Sequence, residues 1–392
     1  MYEDNQEFKA GSNIVAFCNE LEKNLAAQIV VLDDSQENAY VHFLHQDKRL
    51  DRWMPIHSLQ HYDEKEFQKQ QPHNDERVKT RFERRLEDDY SETEDEQLTP
   101  DIQQFELIHK EVTKIRYIEE ITIGNYQIRT WYFSPYPRPF HFMKHLFICE
   151  FCFKYFSTKE NLEKHLLETN EKHPPGREIY RKDGISIFEL QGKHQKLTCQ
   201  CLCLLAKLFL DHKTLFYDVE GFNFYVLCEC DEQGAHVAAY FSRELSKDVD
   251  NILACIVAFP PYQKKGYGRL LISLGYEIAK RQRRSGGPER PLSDLGKVAF
   301  SSYWRDTIVE LLKIHGKEIM SIEDIEKITS IQQSDVIDTL KRIQCVTKVK
   351  GEYELSINKD ALSKAISELS KGKVRRKIDP MKLIWFPEEE DI

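Results

Sequence analysis

The segment that most constrains the fold runs from Asn251 to Arg281. Leu253 to Phe259 is a short continuous apolar run, the mark of a strand buried on both faces. It passes through Pro260-Pro261 into Gln263-Lys-Lys-Gly-Tyr-Gly-Arg269, and a helix is expected from about Gly268 to Arg281. Glycines in such a turn let backbone N–H groups close on phosphate, and the helix start adds positive potential. Lys264, Lys265 and Arg269 would neutralise a pyrophosphate. The spacing fits neither G-x-G-x-x-G nor the Walker pattern, which argues against dinucleotide and nucleoside-triphosphate sites. By itself the segment reads equally as a plain glycine turn.

Around this segment the 392-residue chain separates into regions. Phe8 to Leu59 holds short β-type runs, Asn13–Cys18, Ala27–Leu32 and Ala39–Leu44, which read as a small barrel. From His61 to Asp101 Gln, Lys and Glu dominate, and seven acids fall within Glu87–Glu96, so this stretch buries nothing and reads as a linker. Beyond Thr113 the pattern is compact. Asn125–Phe133 alternates like a strand, Thr198–Asp211 has helix-length apolar density, and Leu215–Val219 and Phe222–Cys230 read as strands. Helices are expected near Trp304–His315, Ser321–Ile328 and Ser334–Ile343, then strand-like Val346–Leu355, a winged-helix-like unit in which Ser321 and Asp324 form a capping box. Its third helix balances Asp335 and Asp338 against Lys341 and Arg342, which argues against major-groove reading. Two basic clusters, Lys280–Arg284 and Lys371–Lys377, read as nuclear-import signals or nucleosomal DNA contacts, the first equally as a solvated helix end.

Composition narrows the class. A hydrophobic share of 41% excludes a wholly disordered chain. No apolar run approaches the ~18 residues of a membrane span, and the acidic start lacks a signal-peptide pattern, so neither spanning nor secretion is expected. With 56 Lys+Arg against 65 Asp+Glu the net charge is −9, which suits a basic partner better than bulk nucleic acid. Ten unevenly clustered cysteines read as intracellular thiols or metal ligands.

The most specific local spacing is Cys149-x2-Cys152-x12-His165, with Phe147, Phe156 and Leu162 where a zinc finger places its small core. The place of a fourth ligand holds Thr169, a poor zinc donor. Two readings stand: zinc on Cys149, Cys152 and His165, completed by water or His173, or a finger-shaped unit held by packing alone. Cys199, Cys201, Cys203, Cys228 and Cys230 read as buried thiols. Taken singly, Cys255 is a core thiol and Glu289, in a Pro-rich loop, a surface acid; no His pairs with Cys255 in a protease-like signature.

Several long runs, in order, resemble the MYST histone acetyltransferases: Leu197–Val219, Asn251–Gly268, Pro288–Gly296 and His173–Tyr180. The likeness covers about Thr113 to Pro387, and Tyr40–Leu44 with Lys48–Trp53 is similar to the chromo barrel of the Esa/Tip-like subgroup. The resemblance implies an α+β fold: a chromo barrel at 8–62, an acidic linker at 63–112, and a MYST-type transferase domain at 113–387. That domain would hold a zinc-finger-like unit (144–176), a GNAT-like acetyl-CoA-binding core (177–300) and a winged-helix-like segment (301–387).

It also implies roles. Gln263, Lys264, Lys265, Gly266, Tyr267, Gly268 and Arg269 match the acetyl-CoA pyrophosphate loop, and Ile256, Val257 and Ala258 the strand that pairs with the pantetheine arm. Ser293 and Ser302 fall at further cofactor contacts. Glu289 matches the general base, Cys255 the active-site cysteine, and Lys213 the lysine that becomes autoacetylated. The family's last zinc ligand is a cysteine, from which Thr169 departs. Nuclear localisation, histone tails and nucleosomes as partners, and subunits of a larger chromatin complex follow as expectations.

The chemistry agrees. A lysine ammonium, pKa about 10.4, is not nucleophilic until it loses a proton, and a carboxylate beside it can take that proton. Backbone N–H groups near Cys255 would hold the developing oxyanion, and direct transfer in a ternary complex is favoured over an acetyl-cysteine. The competing readings are a catalytically degenerate chromatin-binding module, in which Tyr40, Phe43 and Trp53 form a methyl-lysine cage or simply barrel core, and a DNA-binding regulator, disfavoured by the acidic charge.

Overall fold

The computed structural model describes residues 8–62, 115–211, 213, 216–246, 250–290, 292–315, 321–349, 352–355, 358–371 and 375–387. The acidic stretch expected as a linker lies outside them, as does Leu215. Two compact units are present: residues 1–121 with 129–145 and 207–211, and residues 122–128 with 146–206 and 212–392. Among the described residues no helix is long and apolar enough to cross a membrane.

In the first unit β1 (Asn13–Cys18), β2 (Lys23–Leu32), β3 (Asn38–Phe43), β4 (Arg52–Pro55) and β5 (Gln60–His61) form an antiparallel sheet in the order β4-β3-β2-β1-β5. Alternation sends Ile14, Ala16 and Cys18 inward to meet Ala27, Ile29, Val41 and Phe43. The Asp33 carboxylate accepts the N–H groups of Glu37 and Asn38 and closes the β2–β3 turn. Tyr40 and Phe43 are buried, the Tyr40 hydroxyl accepts the Arg116 N–H at 3.4 Å, and its ring meets Trp53 edge-on. Phe43 is therefore barrel core, whereas Tyr40 and the half-buried Trp53 lie outside the core cluster. Strands β6 (Glu120–Ile123) and β7 (Tyr126–Arg129) follow. The strand expected to reach Phe133 stops at Arg129, because the N–H groups of Trp131 and Tyr132 both turn to the Leu208 carbonyl.

The second unit begins with a finger. β8 (His145–Ile148) and β9 (Tyr155–Phe156) pair, and α1 (Lys159–Glu168) is N-capped by Thr158, whose hydroxyl accepts the Asn161 N–H. Its small core is Cys149, Phe151 and Leu162, with Phe147 and Phe156 against them. There follow β10 (Arg177–Lys182), β11 (Ile185–Gln191), α2 (Lys196–Lys207), β12 (Phe222–Cys230), β13 (Ala235–Glu244), β14 (Asn251–Leu253), β15 (Ile256–Ala258), α3 (Tyr267–Arg281) and β16 (Gly287–Pro288). The main sheet is antiparallel in the order β10-β11-β12-β13-β15, and β14 leaves it to pair in parallel with β16. β12 and β13 are buried on both faces, and α3 packs Leu270, Leu271 and Leu274 inward.

The chain ends in α4 (Asp294–His315), α5 (Ile322–Thr329), α6 (Gln333–Arg342), a hairpin of β17 (Val346–Val349) and β18 (Glu352–Leu355), and α7 (Lys359–Lys371). The Ser321–Asp324 capping box is present. Helix and antiparallel sheet together make the α+β class expected. Further elements differ, beginning with the continuous strand expected over Leu253–Phe259, which is broken between β14 and β15. Phe216–Val219 forms no strand. α4 starts at Asp294, well before Trp304, because the Ser293 hydroxyl accepts the Gly296 N–H at 3.0 Å and caps it.

Candidate active site

The site is built on a break between β14 and β15. Ser242 on β13 makes it: its carbonyl accepts the Ala254 N–H (2.8 Å), its N–H donates to the Cys255 carbonyl (2.9 Å), and its hydroxyl accepts the Cys255 N–H (3.2 Å). The extra residue bends the strand, as a bulge does. β14 is thereby free to pair with β16, and the Glu289 N–H donates to the Leu253 carbonyl at 2.8 Å. An acid from the Gly286–Gly296 segment is thus tied two residues from Cys255.

Lys213 joins them. It is buried, and its Nζ lies 3.7 Å from Cys255 Sγ. Burial opposes its charge, but Tyr240, Cys255 and Cys203 outweigh that and raise its pKa. Glu289 sits at the surface of the site, yet enough protein surrounds its carboxyl that desolvation raises its pKa; Glu244 adds to the rise and Lys213 opposes it. A raised carboxyl pKa near a buried ammonium and a thiol is the environment of a working acid–base group. Of the backbone N–H groups near Cys255, those of Ala254 and Cys255 are taken by Ser242.

The far side of β15 is a sheet edge, since β15 ends the strand order, so Ile256 and Ala258 present backbone groups there while Val257 faces Tyr240 of β13. The Gln263 amide donates to the Ala258 carbonyl at 3.0 Å and fixes the turn leaving the strand. Lys264 (φ 61°) and Gly266 (φ 84°) adopt left-handed conformations and turn the backbone into α3. From Lys264 through Arg269 the N–H groups make no hydrogen bond to the described residues. A Cβ on Gly268 would meet nothing within 4 Å, so the space over the first turn of α3 is open. Unpaired amides, a helix start, lysines and an open glycine fit a diphosphate, and the edge of β15 fits an arm carrying amides.

Other predicted residues are engaged within the protein. Lys265 pairs with Glu229 at 2.7 Å, and the Tyr267 hydroxyl also donates to Glu229. Arg269 turns to the fully buried Asp306 at 2.9 Å and to the Ser302 hydroxyl, away from the role of neutralising a phosphate. Ser293 caps α4. Sequence reasoning missed Ser242, Asp306 and Arg376; only Arg376 carried a signal, inside the C-terminal basic cluster. A separate depression of about 410 Å³ is lined by Arg181, Ser186, Cys230 and Asp231 and by none of these site residues.

In the finger the ligand atoms of Cys149, Cys152 and His165 lie within 4.8 Å of one another. Cys152 Sγ is 3.2 Å from His165 Nε2, and its thiol is pulled down to about 7, chiefly by a hydrogen bond from Cys149. Two thiols and an imidazole suit tetrahedral zinc. The Thr169 hydroxyl lies 3.4 Å from Nδ1, the other ring nitrogen, where it orients His165 and is no fourth ligand. His173 is not a substitute either: it binds the Pro174 carbonyl and stacks on Phe188.

Comparison with known proteins agrees with this architecture. Residues 173–383 match the MOZ/SAS family, 115–168 the MYST family zinc finger domain, and 15–61 the Tudor-knot, described as an RNA binding activity-knot of a chromodomain. Histone acetyltransferase of the MYST family 1 from Arabidopsis thaliana is 39% identical over 355 residues, covering 90% of this chain and 78% of the relative. Histone acetyltransferase esa1 from Emericella nidulans is 44% identical over 279 residues, 71% of this chain and 55% of the relative. Histone acetyltransferase MOF from Drosophila melanogaster is 39% identical over 316 residues, 80% and 38%. With strand break, phosphate-type loop, finger and barrel all in their places, the chain belongs to the MOZ/SAS family of MYST-type histone acetyltransferases.

Proposed function

We propose that this chain transfers acetyl from acetyl-CoA to the ε-amine of lysines in core-histone tails, with Glu289 as general base. The observation that carries the reading is the run of unpaired amides from Lys264 to Arg269, set one short strand from Cys255 and Glu289. Gln263, Lys264, Lys265, Gly266, Tyr267 and Gly268 hold the diphosphate. The open edge of β15, at Ile256 and Ala258, guides the pantetheine arm to the break at Cys255. Acetyl-CoA supplies the thioester carbonyl. Glu289 takes the proton of the incoming ammonium, directly or through one water, and its raised pKa makes it a stronger base than an ordinary carboxylate.

Transfer is direct, with Cys255 shaping the pocket. Lys213, 3.7 Å from Cys255, is the residue for autoacetylation. Net charge −9 suits Lys/Arg-rich tails, and the balanced face of α6 argues against sequence-specific DNA reading. Zinc on Cys149, Cys152 and His165 would be structural. The setting is the nucleus, within a larger chromatin complex.

The test is transfer from labelled acetyl-CoA to core histones by the parent and by Glu289→Gln. Activity in the parent with a large loss in the variant near neutral pH supports the reading. A folded parent that neither transfers acetyl nor binds acetyl-CoA overturns it and promotes the chromatin-binding module.

A further inference from the structure

The C-terminal basic cluster has one end committed inside the fold. Arg375 pairs with the buried Asp306 of α4, and Lys377 pairs with Glu310 of the same helix. The Ile378 N–H donates to Ser273 of α3 at 3.1 Å. Further on, Arg281 at the end of α3 donates to the Pro380, Leu383 and Trp385 carbonyls at 3.0, 3.1 and 2.6 Å. The segment is therefore fastened on both sides of Arg376, whose own side chain goes elsewhere.

Arg376 lies on the cofactor loop. Its Nε donates to the Lys265 carbonyl at 3.0 Å, and its stem comes within 3.4 Å of where a Gly266 Cβ would stand. Its guanidinium lies 5.2 Å from the centre of the Tyr267 ring. The residue is exposed, and its terminal nitrogens make no hydrogen bond to the described residues. Glu229, the nearby carboxylate, is already held by Lys265 and Tyr267. A guanidinium in this state, pinned through Nε with its paired outer N–H groups free, is preorganised for bidentate contact with phosphate. By holding the Lys265 carbonyl it also fixes the orientation of the loop whose amides face the same region.

We propose that residues Arg375–Lys377 form a strap across the cofactor loop, and that Arg376 is a further binding residue for a phosphate of the acetyl-CoA nucleotide. This rests on reading Gln263–Gly268 as the acetyl-CoA loop. It gives part of the basic cluster a role inside the enzyme, where the sequence pointed to nuclear import or DNA.

The experiment is equilibrium titration of the full chain with acetyl-CoA, 3′-dephospho-acetyl-CoA and S-acetyl-pantetheine, for the parent, Arg376→Ala and Arg376→Lys. Losing one charge-assisted contact should weaken acetyl-CoA binding about tenfold in Arg376→Ala, with partial recovery in Arg376→Lys. S-acetyl-pantetheine, which lacks the nucleotide phosphates, should bind parent and variant alike, and that equality also reports a folded site. If the tenfold gap closes with the 3′-dephospho form, the 3′-phosphate is the partner; if it persists, the diphosphate is. Equal acetyl-CoA affinity of parent and Arg376→Ala overturns the strap, and so does a loss confined to nucleosome binding. A parent that binds no acetyl-CoA refutes instead the underlying reading of the loop.

Discussion

Replacing Glu289 by Gln keeps the size of the side chain and removes its basicity. The structure bounds the effect. If no other group takes the proton, the variant must wait for a lysine that is already neutral. With a lysine pKa of about 10.4, that fraction at pH 7.5 is roughly one in 800, or about 4 kcal/mol at ~1.36 kcal/mol per decade. The loss in kcat/KM should therefore approach ~10³ at pH 7.5 and shrink about tenfold per pH unit towards pH 10. The parent should behave differently. Its base is competent once Glu289 is ionised, so its profile rises through a pKa above the ordinary 4.5 and then flattens. Lost activity must be separated from lost fold, and the same pKa does so. Because burial raises the carboxyl pKa in the folded state, the ionised form costs stability at every pH above that value. Gln removes the cost, so the variant should be at least as stable as the parent at pH 7.5. Initial-rate assays from pH 6 to 10, beside urea unfolding at pH 7.5, measure both. A variant within threefold of the parent at pH 7.5, or one whose profile parallels the parent's, would refute the assignment of the base.

Cys152→Ser removes the thiolate that faces His165 Nε2 and should weaken zinc at least tenfold, read by competition with a chromophoric chelator. Asp306→Ala leaves Arg269 and Arg375 facing each other without their shared, fully buried carboxylate, and should cost about 3–5 kcal/mol in urea unfolding. Gly275→Ala sets a Cβ 2.6 Å from Leu253 Cδ1, so an overpacking cost of about 1–3 kcal/mol should outweigh a helix-propensity gain of up to about 1 kcal/mol. Because the Leu253 carbonyl holds Glu289, kcat should fall along with the melting temperature.

What could be read from the sequence follows from how local its causes are. β1 spans Asn13–Cys18 as the alternation indicates, and β12 spans Phe222–Cys230, because strand period and apolar content are written in consecutive residues. The finger follows from ligand spacing, and α3 from its glycine turn and apolar face. Ser242 gave no signal, since a serine between Phe241 and Arg243 looks like any strand serine; its three bonds exist only once β13 meets Ala254 and Cys255. Arg375, Arg376 and Lys377 read as one basic run, yet their partners are Asp306, the Lys265 carbonyl and Glu310, which charge pattern alone does not connect.

The site owes its character to which backbone groups the fold leaves unpaired. Two departures from regular structure decide that, and they act in opposite senses. At Lys264–Gly268 the left-handed residues turn successive amides away from acceptors among the described residues, and water can satisfy them until an anion arrives. At Ala254–Cys255 the bulge does the reverse: Ser242 consumes both amides. β15 keeps an open edge from Ile256 onward, so the backbone groups left for a bound thioester begin just past the thiol. On the function proposed above, the proton then passes to Glu289, which is tied to Leu253 and raised in pKa by desolvation.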